Sequence, residues 1–113
     1  GSGKTAAFAV PSLAQLTFES RGSARRPQIL VLCPVRELAQ QTAKVFRDLC
    51  FHNRDVSICE AFGGSPRGPQ EMAIRRGCDV LVATPGRLVD FLESRVVDAR
   101  GLKFWVLDEA DRM

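Results

Sequence analysis

Apolar residues follow two alternating rhythms along this chain: short unbroken runs, and longer stretches in which they recur every three or four positions. Ile29 to Leu32 is a short run after a polar loop (Ser20 to Pro27), as in a buried parallel strand. Leu38, Thr42, Val45, Phe46 and Leu49 then fall on one face of a helix. Val56 to Phe62 predicts a second strand, broken by Gly63 and Gly64. Pro69 to Arg76 predicts a short helix opened by proline and closed by Gly77. Asp79 to Ala83 predicts a third strand. Thr84 supplies a helix N-cap with Pro85 at the first helical position, and Leu88, Val89 and Leu92 carry the stripe that follows. Phe104 to Leu107 is a fully apolar run into Asp108, and within it Trp105 is expected in the core. Ahead of all this, Gly3 to about Ser20 fits a helix imperfectly, with Pro11 expected to kink it or end its first segment. Strand and helix in alternation imply an α/β fold, a parallel sheet flanked by helices with right-handed crossovers.

With 113 residues, one domain is expected, and 45% apolar with 26% charged residues excludes the composition of a disordered chain. The net charge of +3 does not itself call for a nucleic acid, but thirteen of the sixteen basic residues are Arg, whose planar fork suits phosphate. Cys33, Cys50, Cys59 and Cys78 form no C-x-x-C pair and His52 is the single histidine, so reduced, packed thiols in an intracellular protein, cytoplasmic or nuclear, are expected. No run of eighteen apolar residues suggests a membrane partner.

Two segments carry chemistry. Gly1, Ser2, Gly3, Lys4 and Thr5 match the second half of a P-loop. In such a loop backbone N–H groups face a phosphate, Lys4 reaches the β- and γ-phosphates and the Thr5 hydroxyl binds Mg²⁺. At the far end, four apolar residues run into Asp108 in the pattern of a Walker B strand. Asp108 would hold Mg²⁺ largely through water, and Glu109 would orient or deprotonate the attacking water. Both chain ends fall inside such motifs, so residues 1–113 are expected to be an excised part of a domain. The strand before the P-loop would be missing, and little hydrolysis is expected from this stretch alone.

Asp108, Glu109, Ala110 and Asp111 spell DEAD, and with this the chain resembles the DEAD-box RNA helicases. Three more blocks are similar to that family's motifs, in the family's order: Pro34 to Gln41 (PVRELAQQ), usually P-T-R-E-L-A; the pair Gly63 and Gly64; and Ala83 to Leu88 (ATPGRL). Ala6, Ala7 and Phe8, with Arg112 and Met113, look most like the Vasa-related branch. The resemblance implies the first, RecA-like P-loop NTPase domain of a helicase core that uses ATP and Mg²⁺, with a second RecA-like domain in the same parent chain. It implies RNA gripped by its backbone through Pro34, Arg36, Gly63, Gly64, Thr84, Pro85, Gly86 and Arg87, and Asp111 coupling the nucleotide site to other motifs. Contacts of that kind carry no base information, so binding would be independent of sequence. The chain departs from the pattern at Val35, where the family usually has Thr. An ATP-switched RNA clamp without unwinding stays open beside strand separation. A P-loop ATPase acting on DNA or protein would not need the GG and ATPGRL blocks.

Overall fold

The computed structural model describes residues 2–18, 25–53 and 55–109. Within them, helix α1 (Ser2–Leu13) precedes strand β1 (Ile29–Leu32), helix α2 (Arg36–Leu49), strand β2 (Ile58–Ala61) and helix α3 (Arg67–Arg76). Strand β3 (Val80–Ala83), helix α4 (Pro85–Glu93), a 3₁₀ turn (Ala99–Gly101) and strand β4 (Phe104–Leu107) follow. The four strands form one parallel sheet in the order β2-β3-β1-β4. The predicted α/β architecture is therefore found.

Alternation along the strands divides the core. Ile29, Val31, Val80 and Val82 turn to one face, where Ala9 of α1 and Leu38, Ala39, Ala43 and Phe46 of α2 cover them. Leu81 and Ala83 turn to the other, against Ile74 of α3 and Leu88 and Phe91 of α4, with Leu30 and Leu32 packed alongside. Strand β3, covered on both faces, is buried at every position. Covering both faces removes the period-2 alternation of burial along a strand.

Three expectations change. Pro11 neither ends nor opens a second segment: it lies in the last turn of α1, and the helix stops two residues later. Helix α3 starts at Arg67, so Pro69 sits at its third position, where the missing N–H is still one of the four that have no partner inside the helix. Trp105 is not in the core. It is 72% exposed, as Leu107 is 49%, while Phe104 and Val106 pack on the α1–α2 face. Strand β4 ends the described sheet order, and α3 and α4 lie over β2 and β3, so the second face of β4 is left uncovered among the described residues.

Opposite the site-bearing edge, fully buried Asp79 fastens the entry to β3. Arg25 donates from Nε and Nη2 to its two oxygens at 2.8 and 2.9 Å, and the Ser57 amide donates to Oδ2 at 2.8 Å. Replacing Asp79 with Ala removes the partner of a part-exposed Arg25 and strands the Ser57 amide, so a loss of about 1.5–3 kcal/mol is expected. In the protein carrying this chain, denaturant unfolding should show it as a lower midpoint at unchanged slope.

Candidate nucleotide and nucleic-acid site

All four strands point the same way, so the loops after them share one edge of the sheet, where ligands gather in open parallel sheets. That edge carries Pro34 to Arg36 after β1, Gly63 and Gly64 after β2, Thr84 to Arg87 after β3, and Asp108 and Glu109 after β4. Backbone bonds carry the ladder into the loops: the Cys33 amide donates to Ala83 O at 2.8 Å, Thr84 to Ala61 O at 3.0 Å and Asp108 to Leu32 O at 2.8 Å.

At one end of the edge, residues 5 and 108 meet. Thr5 lies in the first turn of α1 and is buried, and its Oγ1 stands 3.4 Å from Asp108 Oδ2, also buried. A hydroxyl and a carboxylate oxygen this close are the donors a hard cation takes. Among the described residues no three His, Cys, Asp or Glu side chains converge on a metal position. Mg²⁺ fits such a sparse set, because it keeps waters and phosphate oxygens in its shell rather than demanding a protein cage. Lys4 and Glu109 are exposed beside this pair. Ser2 and Gly3 belong to the first turn of α1, whose amides have no partner within the helix. Gly1 and Asp111 lie outside the described residues.

The remaining loops are bonded to one another. Arg36, at the start of α2, donates from Nη1 to Gly64 O at 3.1 Å. Gly64 has φ +82°, a conformation that calls for glycine, and a Cβ there would come within 3.3 Å of that same Nη1 and push on the bond. The Gly63 amide donates to Thr84 Oγ1 at 3.1 Å. Thr84 does occupy the N-cap of α4, yet its side chain does not cap the helix, and the hydroxyl is spent on the GG loop instead. Pro85 and Gly86 are exposed in the first turn of α4, and Pro34 is half-buried. Arg87 donates from Nη1 to Gln70 Oε1 at 2.7 Å and from Nη2 to Ser65 O at 2.9 Å, with its guanidinium 5.7 Å from the Phe91 ring centre. Arg67 approaches the same ring at 5.1 Å and is anchored on Asp90, Glu71 and Ser94. Its guanidinium beside Asp90 holds that carboxyl below its usual range.

Sequence reasoning passed over Thr42, Ser65 and Gln70. Thr42 was counted on the apolar stripe of α2, but its buried hydroxyl donates to Asp108 Oδ2 at 2.7 Å. A hydroxyl on a core-facing helix position was the available signal, since a buried polar group needs a partner. Nothing in the local sequence marks Gln70.

A family model described as DEAD/DEAH box helicase matches residues 1–113, the whole chain. The chain belongs to this family. Among similar proteins, a rice (Oryza sativa subsp. japonica) protein named DEAD-box ATP-dependent RNA helicase 7 is 46% identical across 100% of this chain and 17% of its own length. The human protein named Probable ATP-dependent RNA helicase DDX17 is also 46% identical, across 100% of this chain and 16% of its own. The crystal structure of the yeast DEAD-box splicing factor Prp28 superposes with a TM-score of 0.82 at 36% identity, covering 100% of this chain and 27% of that one. The chain thus spans about a sixth of the length of these curated relatives. They support the DEAD-box family broadly and do not single out the Vasa-related branch. No described helix is long and apolar enough to cross a membrane.

Against this family's usual Thr, Val35 is 54% exposed at the N-cap of α2 in extended conformation, with no side-chain cap. Val35→Thr is therefore expected to add a capping oxygen and stabilise the protein by about 0.5–2 kcal/mol, read as a higher unfolding midpoint. An unchanged midpoint would show that this N-terminus needs no cap.

Proposed function

We propose that this chain forms the nucleotide-binding face and part of the RNA grip of an ATP-dependent RNA helicase core, a RecA-like domain that works against a second such domain in the same protein. The observation that carries this is the meeting of Thr5 and Asp108 on the edge where Arg36, the GG loop and Thr84 are bonded together. Bound Mg·ATP would supply a phosphoanhydride to cleave and a cation that offsets its charge. The chain's own residues then divide the work. Amides of the first turn of α1 and Lys4 hold phosphate, Thr5 and Asp108 hold the metal, and Glu109, exposed beside Asp108, orients the attacking water or takes its proton. Asp111 would carry the state of this site to other motifs.

For RNA, the exposed first turn of α4 offers the Gly86 and Arg87 N–H groups, with Pro85, which has none, fixing the start of the helix. Arg36 keeps guanidinium donors beyond the one it gives Gly64. Those are backbone contacts, so we propose binding that is independent of sequence. Ala6 to Phe8 and Arg112–Met113 support placing the protein near the Vasa-related branch. Packed free thiols at Cys33, Cys59 and Cys78 support an intracellular site of action, cytoplasmic or nuclear.

The test uses the full-length protein. Lys4→Ala is expected to abolish ATPase activity by weakening nucleotide binding. Glu109→Gln should leave binding nearly intact and slow hydrolysis by about 100-fold or more. Equal loss of nucleotide affinity in both variants would overturn the assignment of roles.

RNA binding separates the two arginines. Arg36→Ala should weaken all single-stranded sequences alike and lower the salt slope by roughly 0.7. Arg87 gives one N–H from each terminal nitrogen to Gln70 and Ser65 and so has fewer donors left than Arg36, and Arg87→Ala is expected to weaken binding partly through a loosened GG loop, with a smaller change in slope. Affinities measured across a salt series would show it, and identical slopes for the two variants would count against this division.

A further inference from the structure

The Thr42 hydroxyl sits in the middle of α2, fully buried, with its oxygen 2.7 Å from Asp108 Oδ2. Behind it stands Cys33, also fully buried at the end of β1, with Sγ 3.8 Å from Thr42 Oγ1. Burial pushes the Cys33 thiol up to about 11, with the nearby Asp108 charge adding to the rise and the Thr42 contact opposing it. The thiol therefore stays protonated near neutral pH and can donate to Thr42, which leaves the Thr42 proton directed at the carboxylate. Six residues earlier on the same helix, about 9 Å along its axis, Arg36 holds the Gly64 carbonyl.

We propose that Thr42 is a positioning residue for Asp108: from the middle of α2 its hydroxyl fixes the carboxylate that faces Thr5, so one rigid helix sets both that carboxylate and the GG loop. The inference rests on Asp108 acting at the metal site, as proposed above. Thr42 needs no contact with nucleotide for this. An outer partner of a metal ligand acts by orienting it, and losing one typically weakens the metal about 10- to 100-fold. A serine at position 42 keeps the hydroxyl and its reach. A valine keeps the shape and loses the donor.

The experiment compares wild type, Thr42→Val and Thr42→Ser in the full-length protein. Binding of a non-hydrolysable ATP analogue is followed by titration calorimetry at a series of Mg²⁺ concentrations and in chelator, alongside the thermal midpoint. Thr42→Val is expected to raise the Mg²⁺ concentration for half-maximal binding by about tenfold, while metal-free binding stays as in wild type. Thr42→Ser should lie within about twofold of wild type. Should the valine variant fail to fold, Thr42→Ala is read instead, with at least about a threefold rise expected, because a water can replace only part of a bond whose full loss to a charged acceptor is worth on the order of tenfold. A Mg²⁺ midpoint unchanged in the valine or alanine variant, whatever its thermal midpoint, would overturn the proposal. So would a serine variant as impaired as the valine one. Wild-type binding that ignores Mg²⁺ would overturn the metal-site reading and this inference together, which separates the two failures.

Discussion

The parallel pairing of β1 with β3 on one side and β4 on the other runs in register from Ile29, Val80 and Phe104 to Leu32, Ala83 and Leu107. It decides where every functional loop begins. Side chains alternate along a strand, so a slip of one residue would turn each set to the opposite face of the sheet. Asp108 would then leave the α1–α2 side, where Thr5 and Thr42 both reach it. The hydrophobic cost of a slip protects this arrangement. Val80 to Ala83 are buried on both faces, and exchanging Val80 and Val82 with Leu81 and Ala83 would misfit two packed layers together. The chemistry is therefore held in place by apolar packing several residues away from it.

Much of this was legible in the sequence because each strand is bounded by residues of strong local meaning. Gly63 and Gly64 stop one, Thr84 and Pro85 turn another into a helix, and Asp108 ends the last. The order of strands was not legible, and the reading of Trp105 failed for that reason. An apolar tetrapeptide looks the same at the end of a sheet as in its middle, and only the helices on each face decide which of its side chains are covered. Boundaries near proline shifted for a related cause. Proline forbids a donor, not a helix: at Pro69 that donor would have had no partner inside the helix, whereas Pro11 removes one bond from the last turn of α1, which ends two residues later.

The residues that the motif blocks name do gather on one edge of the sheet, but their partners inside the chain were not legible. The motif blocks name Arg36, Gly63, Thr84 and Arg87 as contacts to something outside the chain. In the structure each also spends a polar group inside it, Arg36 on Gly64, Gly63 on Thr84 and Arg87 on Gln70 and Ser65. Those bonds join residues 17 to 28 positions apart, beyond any local pattern. On the proposed function, a loop held this way would have its binding geometry before RNA arrives, which lowers the ordering cost at the moment of binding.

The choice of acceptors has an electrostatic consequence. Other cations are matched by carboxylates: Arg25 by Asp79, and Arg67 by Asp90 and Glu71. Arg36 and Arg87 instead bond backbone carbonyls and a carboxamide, neutral acceptors that orient a guanidinium without cancelling its charge. Asp90 does feel Arg87, but its hydrogen bonds go to Arg67. The two arginines are thus fixed in direction while their positive charge remains open to a further anion. A chain whose overall charge is only +3 can in this way present two directed arginine charges around the GG loop, and on the proposed function that local arrangement, more than the net charge, sets the attraction for RNA.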